Sequence, residues 1–146
     1  MNNQTYRILA VDDWLDNVLL LQTFLELEGF AVDVATSGWL ALNKIKTSPP
    51  DLILLDIMMP GMNGYEVTQR IRQDDQLPAI PILLVSACNE EDAIEGLELG
   101  ANDYICKPIV FEELLTKISK LLPLEQSFDV NFTQEIEAKC LGILRY

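Results

Sequence analysis

No histidine occurs among the 146 residues of this chain. Nucleophile pairs that need an imidazole base, such as Ser–His and Cys–His, are therefore excluded. The chain cannot carry a phosphohistidine of its own, and zinc sites built from cysteine and histidine are not available to it. Any covalent chemistry must come from aspartate, serine, lysine or cysteine.

Cysteine is also scarce, and the three that occur, Cys88, Cys106 and Cys140, form no C-x-x-C motif. We expect them to be reduced, half-buried residues of a cytoplasmic protein. No run of about 20 apolar residues is present to span a membrane. The first five residues lack the basic and apolar layout of a secretory signal. The sequence therefore predicts a cytoplasmic location without membrane association.

Positive charge is the third shortage, because 10 basic residues stand against 23 acidic ones and the formal net charge is −13. Nucleic acid phosphates are bound by clustered Lys and Arg side chains, so we expect no direct binding of this chain to nucleic acid. The simplest interpretation of the acidity is a solvated surface that keeps the protein in solution.

Four short apolar runs are the most informative feature that is present. Such runs, separated by stretches of helix length, are typical of strands in a buried parallel sheet. In these sheets the ligand crevice lies beyond the carboxyl ends of the strands. The runs are residues 6–11, 51–55, 81–85 and 103–106, and the polar residues that follow them are Asp12 and Asp13, Asp56, Ser86 and Lys107.

Helical periodicity and turn residues fill the intervals between the strands. Five βα units predict an α/β fold, a doubly wound parallel sheet with helices on both faces. The third strand is expected to be central because it is an unbroken aliphatic run. Gly29 is predicted to cap the first helix at its carboxyl end. Strands are predicted over 6–11, 30–35, 52–55, 82–85 and 103–106, and helices over 17–28, 39–46, 65–72, from Asn89 to Gly100, and from Phe111 to 122.

The polar residues at the strand ends suit phosphoryl transfer. Three carboxylates close together destabilise their ionised forms, and oxygen ligands with open positions suit Mg²⁺. Asp56 is then the natural nucleophile, because a carboxylate that attacks phosphorus gives an acyl phosphate. Lys107 can supply positive charge, and Ser86 can donate a hydrogen bond to a phosphoryl oxygen. Each residue alone also fits an ordinary structural role, such as a cap or a surface charge, and only their joint placement points to one site.

In these motifs the chain resembles the receiver domains of two-component response regulators. The likeness covers about residues 5–123, in order and at the family's spacing. It implies a flavodoxin-like sheet of five strands in the order 2-1-3-4-5. The segments that carry it are Val11-Asp12-Asp13, Asp16-Asn17, residues 51–64 (DLILLDIMMPGMNG), Val85-Ser86-Ala87 and residues 100–108 (GANDYICKP).

The resemblance implies that Asp56 accepts a phosphoryl group. The donor would be the phosphohistidine of a sensor histidine kinase or of a histidine phosphotransfer protein. The domain would not be an enzyme with a separate substrate, since it would catalyse only its own phosphorylation and dephosphorylation. The implied ligands of a Mg²⁺ ion are the side chains of Asp13 and Asp56, Asp12 largely through water, and Met58 through its backbone carbonyl.

The family's conformational switch is implied as well. Lys107 would pair with the phosphoryl oxygens, and its bond to Pro108 is expected to be cis, a state open to X-Pro bonds. Ser86 would move toward the phosphoryl group, and Tyr104 would turn into the vacated space. The surface of the fourth and fifth helices would then change, and in the family this face commonly docks partners or forms a homodimer.

Two other functions are compatible with the sequence. A free-standing phosphatase with an aspartyl intermediate usually carries a second acid two residues after the nucleophile, where this chain has Met58. A receiver fold used as a phosphorylation-independent binding module would not need all five site residues. Trp14 follows the acidic pair, and it either covers the start of the first helix or forms a wall of the site.

Residues 5–123 are predicted to form the receiver domain, and residues 124–146 to form a C-terminal extension or linker. The extension is too short for the usual DNA-binding effector. A helix capped by Asn131, with an apolar face, could pack on the domain, pair with a second copy or lead to a further domain; a frayed tail is the alternative. The residues at helical spacing are Phe132, Ile136, Cys140 and Ile143.

Overall fold

A computed structural model describes residues 4–87 and 89–124. Five parallel strands form one sheet in the order β2-β1-β3-β4-β5, so β3 is central and β2 and β5 are the edges. This arrangement confirms the predicted doubly wound fold and its strand order. The strands are β1 (Arg7–Val11), β2 (Ala31–Ala35), β3 (Leu52–Asp56), β4 (Ile82–Ser86) and β5 (Asp103–Cys106). The helices are α1 (Leu15–Leu27), α2 (Gly38–Thr47), α3 (Gly64–Gln73), α4 (Glu90–Glu98) and α5 (Phe111–Leu121).

The predicted bounds of these elements match the observed ones to within a residue or two. Helix α1 begins at Leu15, two residues earlier than predicted. The Asp12 carboxylate accepts a hydrogen bond from the backbone amide of the N-cap residue Trp14, and this turn places the helix start at Leu15. Helix α4 begins after Asn89, whose side chain accepts a hydrogen bond from the amide of Glu91 as a cap does. Gly29 follows α1 with a φ of +95°, which confirms the predicted glycine at that helix end.

Parallel pairing aligns the carboxyl ends of the strands at one edge of the sheet. Val11 of β1 is the register partner of Leu55 in β3. Asp56 in turn pairs with Val85 of β4, and β4 pairs with β5 as far as the last residue of each strand. The residues that end β1, β3, β4 and β5 therefore lie side by side.

Alternating side chains of the strands build two apolar cores, one on each face of the sheet. The first core packs β-strand residues against α1 and α5, where the rings of Phe24 and Phe111 stack with centroids 4.1 Å apart. The second packs the other strand face against α2 and α3, with Ile53 and Leu55 of β3 at its centre. Because β3 is covered on both faces, all five of its residues are buried, which explains its unbroken apolar sequence.

Within residues 4–87 and 89–124, none of the helices is long and apolar enough to cross a membrane. The predicted helix in the C-terminal extension, with Asn131 as its cap, lies outside the described residues, as do Cys88 and Cys140.

Candidate functional site

An acidic cluster lies where β1 and β3 end. Asp56 is the last residue of β3, and Asp12 and Asp13 directly follow β1. One carboxylate oxygen of each residue lies within 4.8 Å of the others. Asp12 and Asp56 are buried, whereas Asp13 is exposed. The structure thus brings the three sequence-predicted carboxylates together, with one of them open to solvent.

Asp12 is held in place by the start of helix α1. Its Oδ1 accepts a hydrogen bond from the backbone amide of Trp14 at 2.9 Å, and its Oδ2 accepts one from the Asn17 side-chain amide at 3.4 Å. An aspartate that binds the amide two residues on forms an Asx turn, which fixes both its own carboxylate and the chain that follows. Sequence reasoning did not assign this positioning role to Asn17. The sequence does contain a signal for the turn, since Asp12 lies two residues before the N-cap residue Trp14 and aspartate commonly forms such turns.

Lys107 lies across the cluster from β1. Its Nζ is 3.3 Å from Oδ2 of Asp56 and 3.8 Å from Oδ2 of Asp12. The backbone amide of Lys107 donates a hydrogen bond of 2.7 Å to the carbonyl of Ser86, so the ends of β4 and β5 are joined next to the cluster. The peptide bond from Lys107 to Pro108 is cis, as the resemblance implied.

The remaining predicted residues occupy positions around Asp56. Ser86 ends the neighbouring strand β4 and is buried, one residue beyond the register partner of Asp56. The amide of Met58 lies 3.4 Å from Oδ1 of Asp56, while the Met58 side chain is 70% exposed. Tyr104 is half-buried on β5, where it contacts the second core and where the Lys117 amine lies 5.4 Å from its ring centroid. Tyr104 therefore belongs to the packing beside the site.

Burial raises the pKa of the Asp56 carboxyl above its usual value, since the charged form loses its hydration. The positive charge of Lys107 opposes this rise in pKa, and the negative charge of Asp12 adds to it. Burial prevails, so the protein holds a carboxylate whose negative charge is incompletely compensated by its neighbours. A cation that binds next to such a buried carboxylate stabilises its charged form.

The turn after β3 brings the backbone of α3 close to Asp56. A Cβ atom on Gly64 would lie 2.5 Å from the carbonyl oxygen of Asp56, so a side chain at this position would push the helix away from the strand end. The amide of Gly64 donates to the carbonyl of Ile57 at 2.9 Å. Gly61 has a φ of +78°, in the left-handed region that favours glycine. The glycines of this turn therefore allow the start of α3 to lie close to the end of β3, where Asp56 is located.

The donor set fits a hard divalent cation. Two buried carboxylates and one exposed carboxylate offer oxygen ligands with few protein donors, which suits Mg²⁺ because that ion keeps several waters. The negative charge of three carboxylates also exceeds the positive charge of Lys107 beside them. A Mg²⁺ ion would supply positive charge next to the Asp56 carboxylate, whose pKa is raised mainly by burial and further by the negative charge of Asp12.

Cys106, at the end of β5, forms a disulfide bond. The expectation that all three cysteines are reduced is therefore wrong. Spacing along the sequence could not reveal this bond, because two cysteines can pair only when the fold brings their backbones together.

Comparisons with known proteins indicate one family, that of response regulator receiver domains. Residues 8–119 match the family model described as "Response regulator receiver domain". The chain is 37% identical over 139 residues to the response regulator PleD of Caulobacter vibrioides, an overlap of 94% of this chain and 31% of that protein. It is 44% identical over 117 residues to the alkaline phosphatase synthesis transcriptional regulatory protein PhoP of Bacillus subtilis, an overlap of 80% of this chain and 48% of that protein.

A solved structure agrees with these relatives. The chemotaxis protein CheY4 of Vibrio cholerae superimposes with a TM-score of 0.76 at 31% identity, and the match covers 82% of this chain and all of that one. The chain therefore spans the whole of one solved response regulator but only about a third to a half of the curated relatives.

Proposed function

The chain belongs to the family of response regulator receiver domains, and on that premise we propose that Asp56 accepts a phosphoryl group and thereby switches a signalling surface. The observation that carries this proposal is the environment of Asp56. Its carboxylate is buried at the end of the central strand, with the Lys107 amine 3.3 Å away and two further carboxylates beside it. This combination suits an acceptor that must bind a phosphoryl group and a cation together.

In the proposed reaction, a carboxylate oxygen of Asp56 attacks phosphorus as the bond from phosphorus to the donor nitrogen breaks. The bonding electrons stay on the donor imidazole, and the product is an acyl phosphate. Lys107 stabilises the negative charge on the phosphoryl oxygens, and the Ser86 hydroxyl donates a hydrogen bond to one of them. The domain does not turn over a separate substrate, since it catalyses only its own phosphorylation and dephosphorylation.

We assign the Mg²⁺ site to Asp12, Asp13 and Asp56, with the backbone carbonyl of Met58 as a further ligand. A bound Mg²⁺ ion would neutralise phosphoryl charge at this position. The side chain of Met58 offers no second acid near Asp56, a feature that disfavours a phosphatase of broad specificity. The assignment of the three aspartates is supported by oxygens that lie within 4.8 Å of one another.

A phosphohistidine donor must lie outside these 146 residues, because they contain no histidine. We propose that the donor is a sensor histidine kinase or a histidine phosphotransfer protein. It would act in the cytoplasm, where ATP is available to phosphorylate the kinase. Trp14 and Leu15 follow Asp13 in the sequence, Met58 follows Asp56 by two residues, and all three are at least half exposed. These side chains offer a rim for a partner that inserts its phosphohistidine.

The output is proposed to pass through α4 and α5. Ser86 moves toward the phosphoryl group, and Tyr104 shifts on the edge strand next to it. Helix α4 exposes the apolar side chains of Ile94 and Leu97, which suit docking of a partner or of a second copy. The matched relatives are longer than this chain, so an effector domain elsewhere in a longer protein would act on the signal, and this acidic chain itself would not bind nucleic acid.

Intact-mass spectrometry with acetyl phosphate and Mg²⁺ tests the acceptor. The native chain is expected to gain one phosphoryl group, and Asp56→Asn is expected to gain none. Asp33→Asn is the matched control, since Asp33 also pairs with a lysine but lies on the edge strand β2. An adduct that survives Asp56→Asn would overturn the assignment, and sustained release of phosphate from a simple ester would favour the phosphatase.

A further inference from the structure

Charge is distributed unevenly among the helices. Of the five described helices, only α2 and α3 carry more basic than acidic residues. These two helices hold four of the ten basic residues of the chain, Lys44, Lys46, Arg70 and Arg72. Helix α4 has nine residues, of which five are acidic and none is basic. A chain of net charge −13 thus presents one basic pair of helices and one strongly acidic helix.

The basic pair of helices borders a groove of about 420 Å³. Its lining includes the buried Leu42, the half-buried Leu77 and the exposed cations Lys46 and Arg70. Trp39 also lines the groove, with its side chain 61% exposed and the Arg70 guanidinium 5.0 Å from its ring centroid. Tryptophan and arginine are among the residue types most enriched at the centres of protein interfaces. In this groove the two are in contact before any partner binds.

The groove has an excess of positive charge. Lys44 and Arg72, the other two basic residues of these helices, donate hydrogen bonds within the fold. Lys46 and Arg70 form no ion pair with the residues that the structure describes, and Asp74 is the acidic residue of the lining. Exposed charges more than about 8 Å apart are largely screened at physiological salt. These local charges, more than the net charge, therefore determine which partner fits, and they favour apolar side chains flanked by carboxylates.

The outward face of α4 has this composition. Ile94 is 51% exposed and Leu97 is 40% exposed. Glu91 and Glu98 are exposed three residues before and four residues after Ile94, so they lie on the same face of the helix. Carboxylates in a first turn favour the helix dipole, but Glu98 lies in the last turn, where a carboxylate is unfavourable. Helix stability alone does not account for this acidic and apolar face.

We propose that the groove between α2 and α3 binds α4 of a second copy of this chain. The two apolar side chains of α4 pack against Trp39 and the leucines of the groove, and the carboxylates beside them pair with Lys46 and Arg70. A helix of nine residues is about 13 Å long, similar to the ten-residue helices that border the groove. An interface with two α4 helices face to face would instead bring their acidic side chains together.

The contact must form between molecules. The Tyr65 hydroxyl of α3 donates a hydrogen bond of 2.9 Å to the Asp92 carbonyl, which holds α4 beside α3 and away from the groove of its own molecule. Helix α4 packs on the same face of the sheet as α2 and α3, because a Cβ atom on Gly96 would meet Leu84 of the second core. Two copies placed face to face can each offer α4 to the groove of the other, so the contact closes as a dimer.

Two charge reversals test the contact by sedimentation velocity in the presence of a dithiol. The groove variant is Lys46→Glu with Arg70→Glu, and the helix variant is Glu91→Lys with Glu98→Lys. The native chain is expected to dimerise as its concentration rises to about 1 mM, the weak end of the affinity scale. Each variant alone is expected to dimerise at least about tenfold more weakly, because like charges then face each other. An equimolar mixture of the two should regain dimerisation, since each groove again faces a helix of opposite charge.

A chain that carries both reversals is the matched control, because its net charge is again −13. It is expected to dimerise as the native chain does, which separates pairing at the groove from overall repulsion. Circular dichroism would verify that each variant is folded. A native chain that stays monomeric, a groove variant that dimerises normally or a mixture that stays monomeric would overturn the proposal. Assemblies larger than a dimer would overturn the reciprocal arrangement.

Fluorescence of Trp39 locates the interface independently. The chain has two tryptophans, so Trp39 is the remaining one in Trp14→Phe. Its emission is expected to shift to shorter wavelength as the dimer forms, because the exposed indole loses contact with water. Emission that stays unchanged while the protein dimerises would place the interface elsewhere and contradict the proposal.

Discussion

Two aspartate–lysine pairs occupy different places in the same sheet, and their electrostatics are opposite. On the edge strand β2, Asp33 accepts a hydrogen bond of 2.8 Å from Lys44, and this bond lowers the pKa of its carboxyl. On the central strand β3, Asp56 lies 3.3 Å from Lys107, yet burial raises the pKa of its carboxyl. The side chain of Asp33 is 51% exposed and that of Asp56 is 5% exposed.

The position in the sheet thus decides whether the carboxyl pKa of an aspartate–lysine pair is lowered or raised. At the edge, water solvates both charges and the pair is an ordinary surface contact of small energy. At the centre, the carboxylate has lost its water and shares its lysine with Asp12. The remaining deficit of positive charge is what a Mg²⁺ ion would fill.

The largest expected effect is on the rate of phosphorylation, which should differ between substitutions of Lys107 and of Lys44. Lys107→Ala should slow phosphorylation by acetyl phosphate about 10²–10³-fold, the usual cost of removing one donor that stabilises a developing oxyanion. Lys44→Ala should leave the rate unchanged, because its amine donates hydrogen bonds to Asp33 and Val34 of the edge strand β2. Rates from intact-mass time courses would test this, and equal loss in both variants would remove the distinction between the pairs.

The second largest expected effect is on Mg²⁺ affinity, which should differ between substitutions of Asp13 and of Asp33. Asp13→Asn should weaken Mg²⁺ binding by roughly tenfold or more, since even outer residues of metal sites contribute on that scale. The Asp13 side chain is exposed, so the substitution should leave the folded structure unchanged. Titration calorimetry should show native affinity for Asp33→Asn, and an Asp13→Asn protein that binds Mg²⁺ normally would exclude Asp13 as a ligand.

The smallest effect is on stability, and its sign differs between the pairs. In Mg²⁺-free buffer at neutral pH, Asp56→Asn should raise the free energy of unfolding by on the order of 1 kcal/mol, a common scale for one substitution. Burial raises the pKa of Asp56 in the fold, so its charge costs stability above that pKa. The gain should therefore vanish as the pH falls through the folded pKa toward the unfolded value.

Asp33→Asn should instead lower the free energy of unfolding, by less than about 1 kcal/mol because the pair is half exposed. The pKa of Asp33 is lowered in the fold, so its contribution is present above the unfolded pKa and is lost as the pH falls through the folded one. Urea unfolding at neutral and acidic pH would measure both variants. Changes of the same sign would contradict the contrast.

Much of this contrast could be predicted from the sequence. The apolar run before Asp56 is unbroken because β3 is covered on both faces, whereas Asp33 lies in an alternating strand at the edge. Parallel pairing then brings the strand ends together whatever the loops do, so the meeting of Asp12, Asp13 and Asp56 followed from the order of elements. The roles given to these residues stay predictions.

Other features depended on contacts that periodicity does not encode. The start of α1 at Leu15 follows from a hydrogen bond between the Trp14 amide and Asp12. The disulfide of Cys106 depends on which backbones the fold brings within a few ångströms. The opposite pKa shifts of Asp33 and Asp56 depend on burial, which a count of charges cannot supply.

A crystal structure of the native chain grown with Mg²⁺ and beryllofluoride tests the central claim most directly. We expect beryllium bonded to a carboxylate oxygen of Asp56, a Mg²⁺ ion beside Asp12 and Asp13, and a fluorine within hydrogen-bonding distance of Lys107. An empty acidic cluster, or beryllofluoride bound to a different residue, would contradict the account.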